Sequence, residues 1–383
     1  MDFVLSEKVL KYLEEANSEA VELLEELCKI PAPSNHEEKR AEYCRNWLEK
    51  NGAEGVMIDD ALNVIFPFKC DGKDDIVVFM AHTDTVFPDM TEPMPYYSDG
   101  KNIYSPGVGD DTICVVMMLM VIKYILKNNL SPRCGILFSA NAGEEGLGNL
   151  KGIKQIMSDY ENRIKSVYTF DGQYDEVICK CVGSHRYKIS VETEGGHSFM
   201  DFGNLNAISV VAELIHNLNQ CTVPTEKNSK TTYNIGFIEG GTSVNTIAQN
   251  ASFLYEYLSD YYACIEKMKE FFDSKVKESQ NAYDAKISVE ILGIRPCGNE
   301  VDEALLEKMT QRVIAVCEKY SGHPCRRDSG STDANIPMSL GIPAVCVGTY
   351  LGGGVHTKEE YLKISSIPIG MRIVAELILE YFI

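Results

Sequence analysis

The chain has no run of 18 apolar residues, no C-x-x-C pair, no dense cluster of Lys and Arg, no low-complexity segment and no internal repeat. Without the apolar run no helical membrane span is expected. Without C-x-x-C, neither a zinc ribbon nor thioredoxin chemistry is indicated. Basic residues are scarce, 36 against 56 acidic ones for a formal net charge of −20, so a nucleic-acid partner is not expected either. The opening stretch, MDFVLSEKVLKYLEEANSEAVELLEELCKI, lacks the cationic region, continuous apolar core and cleavage site of a secretory signal. The 13 cysteines are therefore read as reduced, buried side chains of a cytoplasmic protein.

What is present is an ordinary globular composition, 45% hydrophobic and 24% charged over 383 residues, enough for about two domains. Val4, Val9, Leu10, Leu13, Ala16, Ala20, Leu23, Leu24 and Leu27 fall near helical spacing, which predicts an amphipathic helix at the start. A second follows over 37–51, then strands over 63–67 and 75–81. A helix over 112–127, apolar nearly all round, a strand over 135–140, a helix over 148–160 and a strand over 166–170 complete an alternating pattern. Such alternation predicts an α/β sheet with helices on both faces.

From about Gly183 the rhythm changes. Strand 187–194, helix 205–218, strands 231–238 and 251–259, helix 262–280 and strand 285–292 give the order β-α-β-β-α-β, a complete ferredoxin-like α+β unit. Helix 301–320 and a buried strand over 341–348 return to the first pattern. The expectation is one discontinuous α/β domain, 1–182 with 293–383, carrying an inserted domain, 183–292.

In open α/β sheets ligands gather beyond the carboxyl ends of the strands. Those ends carry His82-Thr83-Asp84, the adjacent pair Glu144-Glu145 in NAGEEGLGN, and Asp171-Gly172; Asp110 and Asp111 precede the buried helix, and His356 follows the last strand in TYLGGGVHT. An isolated pair of glutamates is ordinarily an exposed acidic loop. Gly143 and Gly146 bracket this one, however, and glycine-relaxed backbone can aim both carboxylates at one cavity. Several carboxylates at one edge are costly unless a cation neutralises them. Imidazole with carboxylate oxygen, and no thiolate, suits zinc, with manganese or cobalt as substitutes. Two divalent ions sharing one carboxylate account for the number of donors.

The ordered set His82-Thr83-Asp84, Gly107-Val108-Gly109-Asp110-Asp111, Glu144-Glu145-Gly146, Asp171-Gly172, Gly-Gly-His197 and Gly-Val-His356-Thr357 resembles the co-catalytic zinc exopeptidase family. That family includes peptidase T, bacterial glutamate carboxypeptidase, aminoacylase, acetylornithine deacetylase and succinyl-diaminopimelate desuccinylase, and the resemblance spans nearly the whole chain. It implies a mixed-sheet catalytic domain with a lid and dimerisation domain inserted. It implies further that Asp110 bridges two metals, that His82 and Asp171 complete one site, and that Glu145 and His356 complete the other. Asp84 would orient the His82 ring, and Glu144 would be the general base. In dimeric relatives the histidine matching His197 stabilises the oxyanion in the neighbouring subunit's site and the asparagine matching Asn245 assists, which implies a homodimer through the inserted domain. Ser331, Thr332, Asp333 and Asn335, in a loop expected over 326–337, match a segment that lines the substrate cleft.

One departure stands out. Many members carry an arginine where this chain has Leu258, and leucine cannot clamp a substrate carboxylate. Arg295, Arg326 and Arg327 are candidates to compensate. Three functions remain open on this reading. They are a peptidase acting on short peptides with a free amino end, an N-acyl amino acid deacylase with the same metal chemistry, and a non-catalytic binding protein on the same fold.

Overall fold

The strand Ile76–His82 is buried at every position, and its two sides face different cores. Val77, Phe79 and Ala81 belong to one apolar cluster, and Ile76, Val78 and Met80 to another. A strand covered on both faces reads as a continuous apolar run rather than an alternation. The first cluster packs under the helices Asn17–Cys28, Ile113–Lys127, Glu303–Ser321 and Ile367–Leu379, the second under Lys151–Tyr160 and Asn335–Ser339.

This is the computed structural model of the chain, and it describes residues 3–298 and 300–382. The chain divides into two compact units, Met1–Cys181 with Asn299–Ile383, and Val182–Gly298. In the first, an eight-stranded sheet runs Met57–Ile58, Val64–Phe68, Gly135–Asn141, Ile76–His82, Ile164–Phe170, Ala344–Val347, Glu176–Cys181, Arg326–Gly330. The four strands from Gly135–Asn141 to Ala344–Val347 are parallel, with antiparallel pairings on either side of them. Their carboxyl ends lie level, His82 opposite Asn141 and Val347 opposite Phe170.

The second unit is a four-stranded antiparallel sheet, in the order Thr231–Gly240, Asn250–Ser259, Gly183–Glu192, Lys286–Arg295. The helices Ala207–Leu218 and Tyr262–Ala282 cover one face. This is the ferredoxin-like arrangement expected from the order of elements. Its last strand runs past Leu292 to Arg295.

Several elements differ from the sequence-based expectation, and the helix Ile367–Leu379 was not expected at all. The opening helix is two, Glu7–Glu15 and Asn17–Cys28. Residues 176–181, EVICKC, had no predicted strand, because the charged Glu176 and Lys180 interrupt any apolar run, yet they pair in the main sheet. Arg326–Gly330, expected as loop, is the outermost strand of that sheet. Charged side chains such as Arg326 and Arg327 are common on an edge, where they discourage further pairing. All 13 cysteines are free, and among the described residues no helix is long and apolar enough to cross a membrane.

The carboxylate of Glu376, 0% exposed, ties the helix Ile367–Leu379 to Glu303–Ser321 through Arg312 at 3.0 Å and Lys319 at 2.6 Å. Removing Glu376 takes this carboxylate from both cations, although Arg312 keeps Glu380 at 2.7 Å, and breaking a buried pair on one side is costly. Glu376→Ala is therefore expected to cost about 3 kcal/mol, the low end for a broken buried pair because Lys319 is partly exposed. The urea midpoint of the full chain reads this directly.

Candidate metal centre

At the end of Ile76–His82 the chain turns through Thr83 to Asp84, a carboxylate with 0% exposure. Asp84 Oδ1 accepts from the Glu144 backbone N–H at 2.9 Å, and Oδ2 from the Glu145 N–H at 3.0 Å and the Ser34 hydroxyl at 2.7 Å. His82 Nδ1 lies 3.2 Å from the Asp84 backbone carbonyl and 3.4 Å from its carboxylate. One residue therefore fixes both the imidazole and the backbone that carries the paired glutamates. Gly143, at φ 68°, supplies the reversal that brings that backbone round. Gly146 meets no such demand, but a Cβ on Gly148 would lie 2.4 Å from Gly143 Cα.

The turn SPGVGDDT delivers the two aspartates to different tasks. Asp111 Oδ2 accepts from the His82 backbone N–H at 2.9 Å. Asp110, joined to it by a cis peptide, places Oδ1 3.0 Å from His82 Nε2 and Oδ2 3.1 Å from His356 Nε2. His356 Nε2 also lies 3.1 Å from Glu145 Oε1. Asp171 follows the strand Ile164–Phe170, its N–H bonded to the Val347 carbonyl at 3.0 Å. Donor atoms of His82, Asp110 and Asp171 lie within 4.8 Å of one another, as do those of Asp110, Glu145 and His356, and those of His82, Glu144 and Glu145.

Residues 78–380 match Peptidase family M20/M25/M40. The chain belongs to this family. It is 25% identical over 366 residues to YqjE of Bacillus subtilis, an alignment covering 89% of this chain and 92% of that protein. A tripeptidase from Staphylococcus aureus superposes with a TM-score of 0.75 at 21% identity, covering 94% of this chain and 97% of that one. The aminopeptidase PepT from Bacillus cereus does so with a TM-score of 0.72 at 23% identity, covering 95% and 98%. YxeP of Bacillus subtilis, a solved M20 protein, is a dinuclear metal-binding peptidase; this chain is a metal-dependent peptidase or amidohydrolase.

The electrostatics of this M20 centre fit a cation pair. Burial pushes the Asp110 carboxyl upward, but hydrogen bonds from His356 and His82 outweigh it and hold the group below the usual carboxylate range. Asp171 has no such donor, and burial followed by the Asp110 charge pushes it up to about 7. Hydrogen bonds to Asp110 and Glu145 raise His356 to about 10. Against the effect of burial, the carboxylates around them shift both imidazoles toward the protonated form. Divalent cations neutralise the same cluster while the donors are deprotonated, which is the exchange that metal binding requires. Chemically, the donor set is imidazole nitrogen and carboxylate oxygen, without thiolate.

The other expected site residues fall into separate groups. In the second unit, His197 and Asn245 are neighbours. Gly196–His197 pairs with Thr246–Ile247, and the Ser198 N–H donates to the Asn245 carbonyl at 3.0 Å. In the first unit, Asp333 Oδ2 accepts from Asn141 Nδ2 at 2.6 Å. Thr332 and Asn335 are buried and build their own loop, the Thr332 N–H donating to Asn335 Oδ1 at 2.9 Å. Ser331 is partly exposed. Arg326 is engaged with Asp175 and Glu176, and Arg327 with Glu307, so both guanidinium groups already have carboxylate partners. Arg295 lies opposite Ser184, whose other neighbour in register is Leu258.

Two residues that support the centre were not singled out in the sequence. Arg40 is buried, and its guanidinium donates to the carbonyls of Leu27, Ile30 and Thr83 and to the Thr112 hydroxyl. Glu360 accepts three backbone N–H groups from the Asp110 turn. A lone charged residue in an amphipathic helix or an acidic loop carries no sequence signal for such a role. Asp84→Asn would present an amide N–H₂ to one of the glutamate N–H groups, which already donate. The expected result is a loss of metal affinity of about 10- to 100-fold, measured by calorimetric titration with zinc.

Proposed function

We propose that this protein is a two-metal aminopeptidase acting on short peptides with a free amino end. The observation that carries the reading is that Asp84 holds Glu144 beside the convergent donors His82, Asp110, Asp171, Glu145 and His356. His82, Asp171 and Asp110 would hold one ion, and Asp110, Glu145 and His356 the other, with zinc the metal that suits these donors best. When bound, such an ion pair supplies Lewis acidity to a carbonyl oxygen and lowers the pKa of a water to about 7.

The chain's own residues divide the remaining work. Asp84, against His82 Nδ1, leaves Nε2 directed at Asp110, which fixes ring plane and tautomer. Glu145 lies against His356, so of the adjacent pair it is Glu144 that serves as general base. It takes the proton of the attacking water and passes it to the leaving amine, a step typically worth about 10²- to 10⁴-fold. His197 Nδ1 accepts from the Phe199 and Met200 N–H groups at 3.3 and 3.4 Å. A neutral ring so placed carries its hydrogen on Nε2, suited to donate to a developing oxyanion, and Asn245 stands beside it.

An amine at the substrate's end suits a chain with net charge −20, and the PepT and tripeptidase likenesses support that choice over deacylation. Around His197 the side chains of Phe199, Met200, Phe202 and Val244 are each more than three-quarters exposed, and the edge strand Thr231–Gly240 has a partner on one side only. Both features support a homodimer formed through the second unit. The free, mostly buried thiols fit a cytoplasmic setting.

The test is hydrolysis by zinc- and manganese-loaded protein of dipeptides, tripeptides, their N-acetylated forms and N-acyl amino acids. Cleavage of the free-amine peptides alone is expected. Cleavage of the acylated compounds alone would make the protein a deacylase. Glu144→Ala is expected to keep both metals and lose at least about 10²-fold in kcat; a halved metal content would mean that the roles of the two glutamates are exchanged. His197→Ala with unchanged kcat would remove that residue from the mechanism.

A further inference from the structure

The loop that carries His356 is exposed over 354–359, and the His356 side chain itself is 54% exposed. A metal ligand on such a segment needs an anchor, since nothing in the loop is packed into the core. The segment ends on Glu360, which is 1% exposed.

The Glu360 carboxylate reaches back to the turn that carries the other shared ligand. Oε2 accepts from the Gly107 N–H at 2.8 Å, and Oε1 from the Gly109 N–H at 2.8 Å and the Asp110 N–H at 2.9 Å. Its backbone joins the same two segments. The Ser105 N–H donates to the Glu360 carbonyl, and the Glu360 N–H to the Thr357 carbonyl, both at 3.2 Å. Three converging N–H groups demand an acceptor with two oxygens and no donor of its own, which among uncharged side chains does not exist. Position 109 has room only for glycine, because a Cβ there would lie 2.5 Å from the Tyr350 ring. The turn thus packs closely on Tyr350 on one side and is bonded to Glu360 on the other.

His82 and Asp171 need no such clamp. Each stands at the end of a buried parallel strand, held by the main sheet. The two metal positions therefore differ in how their ligands are supported.

We propose that Glu360 is a positioning residue that sets the affinity of the second metal position, the one made by Asp110, Glu145 and His356, by locking the His356 loop to the Asp110 turn. The inference rests on the two-metal reading above. Glu360→Gln keeps one acceptor oxygen but turns an N–H₂ toward an N–H that already donates, without changing the volume of the side chain.

The experiment is titration of the metal-free full chain with cobalt, followed by its visible absorption, and with zinc by calorimetry. The unaltered protein and the variants His356→Ala and Glu360→Gln are compared. In Glu360→Gln both binding events are expected to weaken, because Asp110 serves both positions, but the second, which alone depends on the His356 loop, is expected to weaken about 10- to 100-fold more than the first. Two unchanged events, or two events weakened alike, overturn the proposal. If instead the unaltered protein takes up fewer than two ions, or His356→Ala still takes up two, it is the two-metal reading that fails. A check that needs no variant is hydrogen exchange in the metal-free protein. The amides of Gly107, Gly109 and Asp110 are expected to exchange at least about tenfold more slowly than those of 354–359, and equal rates overturn the clamp.

Discussion

The centre depends first on the carboxylate of Asp84. It is fully buried, yet burial is outweighed by hydrogen bonds from the His82 ring, from Ser34 and from the Glu144 N–H, so that it stays below the usual carboxylate range. A buried anion of this kind persists only where every lone pair has a donor. Because its donors are the backbone of Glu144 and Glu145 and the ring of His82, satisfying the charge and aiming the site are the same act. Remove that carboxylate and three functional side chains lose their common reference.

Around this point the protein accumulates buried charge of both signs. Arg40 lies beneath Thr83 and Thr112, Glu37 is bonded to Lys151, and Glu360 fills the turn before Asp110. Each is costly to bury alone. Together they fix the loops at the carboxyl ends of the parallel strands, where irregular backbone would otherwise be the least rigid part of the fold. The sheet sets the positions of His82 and Asp171; side-chain to backbone bonds from Asp84 and Glu360 set those of Glu145 and Asp110.

The second unit solves a different problem. Its sheet is covered by helices on one face, and the loop of His197 is tied to that of Asn245 by a two-stranded pairing. Residues 48 positions apart thus become neighbours. Phe199, Met200, Phe202 and Val244 stay exposed beside them.

The alternation of elements, the ferredoxin-like order of the second unit and the ligand types at the strand ends were all determined by the sequence, because strand periodicity and residue chemistry are local properties. The long apolar helix 113–127 was equally legible, since burial on all sides leaves a continuous run. The strands 176–181 and 326–330 were not, because a strand at or near a sheet edge keeps its charges and loses the apolar signal. Nor was the purpose of Arg40 or Glu360. A charged side chain looks alike in sequence whether it is solvated or bonded to a buried backbone, and only the tertiary structure brings the carbonyls of 27, 30 and 83 around one guanidinium, or three N–H groups of the Asp110 turn to one carboxylate. The sequence could name what kinds of donor assemble; the folded chain alone decided which of them are held, and by what.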